Sequence, residues 1–206
     1  MAIGIICCKV MEREVKAVAA RLAPEALVEV LDWGLHVKPD LLLARLTAAI
    51  RCMQDKVDAI VLGFGRCQTM DKLPADFKVP VIYPPGEDCI GVLLGQERYR
   101  EELYKQAGTW FITAGWADLG MEGIFSEVQA ANLAAKGLDP MAVARRMLKD
   151  YTRALVIDTG VGDRDRLQQK AMAIAATFNW RLDATTGSLE RIEAAVAEAL
   201  VWAARQ

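Results

Sequence analysis

Cys8, Cys67 and Cys89 each follow a short apolar run, and three thiolates brought together would hold a soft metal. Cys8 closes the run Ile3-Gly4-Ile5-Ile6-Cys7. Cys67 follows Ala59-Ile60-Val61-Leu62-Gly63 through the turn Gly63-Phe64-Gly65-Arg66. Cys89 follows Val79-Pro80-Val81-Ile82-Tyr83 and the turn Pro84-Pro85-Gly86. With one further ligand the three suit a zinc ion; on a four-iron cluster they would leave one iron open. The plain alternative is that each is a small buried residue at a strand end, since no CxxC spacing marks a local site. His36, the sole histidine, lies in the loop after the second predicted strand and is the nitrogen candidate for a fourth ligand or proton shuttle. Its alternative is an ordinary packed or surface imidazole. Glu87 and Asp88 would supply an oxygen ligand or general base, or else be exposed turn carboxylates. Cys7 should point away from Cys8, because strand side chains alternate. Cys52 falls on a helix face, and both are read as structural.

Two glycine-rich turns follow predicted strands: Gly63-Phe64-Gly65-Arg66 and Asp158-Thr159-Gly160-Val161-Gly162-Asp163. Such turns bring backbone N–H groups close to a phosphate or carboxylate. Gly63, Gly65, Gly160 and Thr113, which closes the run Thr109-Trp110-Phe111-Ile112, are therefore candidate cofactor-binding positions. The first turn lacks the lysine and hydroxyl of a Walker turn, and the second is not a full GxGxxG. Both also read as tight turns requiring positive φ. Trp110, Phe111 and Trp116 would line a flat tetrapyrrole or simply pack a strand. With one histidine and no nucleophile elbow, classical hydrolase chemistry is disfavoured.

The elements that must position these residues alternate in the manner of an α/β protein. Strands are predicted at residues 3–8, 26–31, 58–63, 79–83, 109–113, 153–158 and 180–183. Helices are predicted at residues 12–22, from Pro39 through Met53, at 89–106, 116–136, from Pro140, at 164–178 and from Ser188. The expected architecture is a mostly parallel sheet of six or seven strands with helices on both faces. In such a sheet the loops beyond the carboxyl ends of the strands form the ligand crevice. The chain reads as a single domain over 1–206, with lobes at 1–115 and 151–206 and a helical insertion at 117–150.

The composition sets limits. A 206-residue chain that is 53% hydrophobic sustains a full core without staples. A net charge of −2 offers no basic field for nucleic acid or anionic lipid. No apolar run approaches the ~20 residues of a membrane span, and no charged n-region precedes the apolar start. The expectation is a soluble cytoplasmic protein whose five cysteines stay free of structural disulfides. Hydrophobic content and five tryptophans are compatible with a homodimer surface.

Several segments together carry a resemblance. Cys8-Lys9-Val10-Met11-Glu12-Arg13-Glu14 resembles a C-x-x-x-x-R-E opening, and Leu35-His36-Val37-Lys38-Pro39 an L-H-x-x-P segment. Gly63-Phe64-Gly65-Arg66-Cys67 resembles a G-Y-G-x-C turn. Gly86-Glu87-Asp88-Cys89 is similar to G-x-H-C, and Gly108-Thr109-Trp110-Phe111-Ile112-Thr113 to G-T-x-F-x-T. In this order they resemble an uncharacterised prokaryotic domain-of-unknown-function family, often encoded beside corrinoid-dependent methyltransferases. The resemblance implies that Cys8, Cys67, Cys89 and His36 share a site. Asp88 stands where that family has a histidine. The resemblance supplies no reaction; zinc or an iron–sulfur cluster is the reading of the thiols themselves, and the resemblance adds a corrinoid nearby and a corrinoid protein or methyltransferase as partner. The alternatives are a metal-free binding module for a tetrapyrrole or small anion, and a scaffold for a methyltransferase.

Overall fold

The structure, a computed structural model, describes residues 2–66, 70–134 and 136–205. Its α/β elements fall into two compact units, residues 1–96 with 188–206 and residues 97–187.

In the first unit, β1 (Ile3–Cys8) is buried along its whole length. A 3-10 turn, Lys9–Met11, leads into α1 (Glu12–Leu22), which buries Val15, Val18 and Ala19. These apolar positions recur at helical spacing and form one core-facing stripe. Next come β2 (Leu27–Leu31), a 3-10 turn Leu35–Val37, and α2 (Pro39–Met53). Pro39 opens α2, where its missing N–H and fixed φ cost nothing. Strand β3 (Ala59–Gly63) is continuously apolar and fully buried, as expected of a strand covered on both faces. Strand β4 is only Val81–Ile82, shorter than the predicted 79–83. Pro80, Pro84 and Pro85 flank it and have no N–H to give a ladder.

These strands form one parallel sheet in the order β2-β1-β3-β4. Cys7 is level with Gly63, and Cys8 with Leu31. After β4, α3 (Cys89–Leu94) ends at Gly95, whose φ of +91° is open to glycine and strained for other residues. The helix predicted through 89–106 is therefore two, because α4 (Gln96–Lys105) starts afresh beyond that glycine. The C-terminal helix α9 (Glu190–Ala203) belongs to this unit, where the Ser188 N–H bonds to the Leu93 carbonyl at 2.7 Å and Arg21 pairs with Glu193.

The second unit holds β5 (Thr109–Ile112), β6 (Arg153–Asp158) and β7 (Arg181–Thr186), parallel and in that order. The seven strands thus form two sheets of four and three rather than one, and β5, expected with the first lobe, is laddered to β6. Between them lie α5 (Ala114–Glu127), α6 (Ala130–Ala134) and α7 (Pro140–Met147). Gly120 (φ +55°) breaks α5, so the predicted 116–136 helix is not continuous. Helix α8 (Arg164–Phe178) completes the unit. Its core contains Trp110 stacked on Trp180 at 6.0 Å and Phe178 on Trp180 at 4.5 Å. At the amino end of β6 the buried Arg153 pairs with Glu102 at 2.8 Å and donates to Thr109 Oγ1 at 2.9 Å. Among the described residues, no helix is long and apolar enough to cross a membrane.

Candidate metal centre

Because all four strands of the first sheet are parallel, their carboxyl ends share one rim. The chain runs from β1 outward to β2, then returns past β1 to β3, so the order reverses between β1 and β3. That reversal is where open α/β sheets place ligands. Cys8 ends β1 on one side of it. On the other side, β3 runs into the turn Gly63-Phe64-Gly65-Arg66, which leads to Cys67. The second sheet has no such reversal among its described strands.

The rim is tightly built. A Cβ on Gly63 would lie 2.6 Å from the Cys7 Cβ and 2.7 Å from Val15 Cγ2. A Cβ on Gly65 would lie 2.0 Å from the Asp88 carbonyl carbon. The Arg66 N–H bonds to the Gly86 carbonyl at 2.7 Å. Neither Gly63 nor Gly65 has positive φ. These glycines serve close approach, not an unusual turn conformation. The turn after β3 is thereby fastened to the segment that presents Cys89.

Cys89 is half-buried and is the first residue of α3. Asp88 caps that helix, its Oδ1 accepting the Gly91 N–H at 2.7 Å. Its place before the cysteine therefore has a structural purpose. Cys8 is buried at the end of β1. Burial pushes the Cys7 thiol up to about 12, with Cys8 and Glu12 adding to the shift, so Cys7 stays a neutral core residue. Glu12 is held below the usual carboxylate range first by its hydrogen bond to Lys16 and then by that to Lys9. Glu14, two residues on, is fully buried. The Arg13-Glu14 end of the opening motif marks its position in the sequence.

Cys67 lies outside the described residues. His36 is half-buried in the 3-10 turn after β2, the outer strand of the sheet. Among the described residues, no three of His, Cys, Asp and Glu are gathered as a metal-holding group. His36, Asp88 and Glu87 are thus not brought together with both Cys8 and Cys89. Cys52 is exposed, not packed, and lines an open groove of about 420 Å³ beside β2 with Glu29, Asp32 and Arg45.

Thr113 and Gly160 belong to the second unit. Thr113 caps α5, accepting the Trp116 N–H at 3.4 Å. Gly160 has φ of +73°, and its N–H bonds to Asp158 Oδ1 at 2.9 Å. The other carboxylate oxygen of Asp158 pairs with Arg164 at 3.0 Å.

A family model described as "Protein of unknown function (DUF1638)" matches residues 30–196. The chain belongs to this family. The DUF1638 match takes in His36, Cys67 and Cys89, and Cys8 precedes it. Among solved structures, the chain is similar to the lactose repressor bound to anti-inducer ONPF in the induced state. The two share 14% identity over 90% of this chain and 78% of that one, at a TM-score of 0.35. A comparison with curated proteins gave no match.

Proposed function

We propose that this DUF1638 protein is a metal-binding protein in which Cys8, Cys67 and Cys89 hold a zinc ion or an iron–sulfur cluster at the rim of the first sheet. The observation that carries the reading is the placement of Cys8 and the Gly63–Arg66 turn on either side of the strand-order reversal, with that turn bonded to the segment before Cys89. The donor set fits a soft metal, since three thiolates are the ligands zinc and iron–sulfur clusters prefer. No described imidazole or carboxylate joins both Cys8 and Cys89, so the reading is a three-thiolate centre with one open position. Such a centre, when filled, would supply either Lewis-acid activation of a thiol or water, or one-electron transfer. The protein's own contribution is rigid placement. Gly65 lets the turn after β3 close against the backbone of the segment before Cys89.

The family resemblance supports a place in corrinoid-dependent methyl transfer, with a corrinoid protein or methyltransferase as partner, either as an accessory enzyme or as an electron-transfer protein. Anaerobic purification followed by metal analysis and a visible spectrum tests the centre. Roughly one zinc or one cluster per chain is the expected result. Less than about a tenth of an equivalent, before and after reconstitution with zinc or with iron and sulfide, would overturn it.

A further inference from the structure

Strand β2 is at the edge of the first sheet. It ladders to β1 on one side and to no strand on the other among the described residues. Such an edge offers a row of backbone N–H and C=O groups to any strand that meets it, and sheets commonly guard it with proline, lysine or a bulge. Leu27–Leu31 contains no proline and no lysine, and its register with β1 runs on without a bulge. Its apolar side chains lie open instead, Leu27 being 44% and Val28 37% exposed.

The strand is Leu-Val-Glu-Val-Leu, which reads the same in both directions about Glu29. Two copies paired antiparallel about a two-fold axis at Glu29 set Leu27 opposite Leu31 and Val28 opposite Val30, each pair occurring twice. That self-match is what an interface between identical chains requires. The central pair is Glu29 against itself, which is repulsive alone. Glu29 shares an open groove of about 420 Å³ with Arg45 of α2, so the two acids at the axis come with two arginines beside them. Leu41, one turn before Arg45 on α2, is also exposed and extends the apolar surface.

We propose that the β2 edge is a self-association surface: the occupant is a second copy of this chain, and the two β2 strands pair antiparallel and join their sheets into one. One strand pair and one helix side make a small interface, so the dimer is reversible and concentration-dependent.

Sedimentation of the full-length chain over a dilution series tests the association. Wild type should pass from dimer to monomer on dilution. Val28→Lys should weaken association about 10-fold or more, because the changed pair occurs twice in the dimer. Leu27→Lys, at a second exposed position, carries the comparison if that variant does not fold. A single cysteine tests the register. Residues directly opposed in an antiparallel pair have Cα atoms about 4.5–5.5 Å apart, within disulfide range. Glu29→Cys in a Cys52→Ser background should therefore form a disulfide-linked dimer under mild oxidation, and the Cys52→Ser parent should not. Wild type that stays monomeric at every concentration, with no cross-link from Glu29→Cys, overturns the proposal and leaves the edge to a different chain. A wild-type dimer unaffected by both lysine variants overturns it as well, since another surface then holds the copies together.

Discussion

Gly65 runs so close to Asp88 that any side chain at 65 would collide with backbone: an added Cβ would lie 2.0 Å from the Asp88 carbonyl carbon and 2.3 Å from its Cα. Neither atom can rotate away as the end of a flexible side chain could. Gly65→Ala must therefore separate the turn after β3 from the segment before Cys89, weakening the Arg66-to-Gly86 hydrogen bond. Overpacking of this kind costs about 1–3 kcal/mol. At this chain length that lowers the melting temperature by roughly 2–4 °C per kcal/mol. Metal content should fall in the same variant. Gly160→Ala is the control: its φ of +73° makes alanine strained although nothing lies within 4 Å. It should cost about 1–3 kcal/mol and leave metal content at the wild-type value.

The cysteines should separate by reactivity. With its thiol pushed up to about 12 by burial, Cys7 is on the order of one part in ten thousand thiolate at pH 8. The exposed Cys52 has no such shielding. Brief treatment of the native protein with iodoacetamide, followed by peptide mass mapping, should label Cys52 and leave Cys7 untouched. Labelling of Cys7 at the Cys52 rate would mean that β1 is not buried as described.

In the second unit the Glu102–Arg153 pair should control part of the acid limb of stability. The Glu102 carboxyl is held below its ordinary value, chiefly by Lys105 and then by Arg153. A lowered carboxylate pKa contributes stability that is complete above the unfolded value of about 4.3 and is lost as pH falls through the folded value. Glu102→Gln should remove that contribution, so its unfolding free energy should vary less than wild type below pH ~4.5. It should also be less stable at neutral pH, by about 1–3 kcal/mol, because the buried Arg153 loses its nearest carboxylate but keeps Thr109 and the Glu102 carbonyl as acceptors. Asp183, at 3.7 Å, offsets part of this. Equal pH dependence in urea unfolding of the two proteins would contradict the assignment.

Local pattern and long-range pairing were not equally readable from sequence. The apolar run Ala59–Gly63 and the stripe Val15, Val18, Ala19 state their burial directly, because both faces or one face of the element must be covered. Which strands pair is not a local property. β5 reads like any other short apolar run, yet its ladder to β6 sets it in a second sheet. Gly95 lies inside the helix predicted over 89–106, and its positive φ is what breaks that helix in two. Asp88 before an apolar run is a legible capping signal, and the cap to the Gly91 N–H is what the structure shows.

The set of metal ligands can be separated from the residues that merely stabilise the rim. Asp88→Ala removes the cap on α3 and should cost about 0.5–2 kcal/mol. Because Asp88 Oδ1 is engaged with the Gly91 N–H at 2.7 Å, metal content in the folded fraction should be unchanged. His36→Ala should also retain the metal, since His36 is not grouped with both Cys8 and Cys89 among the described residues. Cys8→Ser, Cys67→Ser and Cys89→Ser should each lose it, as a hydroxyl is a poor ligand for a soft metal. Metal analysis of the five variants, normalised to the folded fraction by circular dichroism, decides the matter. Loss of metal from His36→Ala at full folding would restore the imidazole as fourth ligand. Retention in all three serine variants would leave the cysteines as core residues.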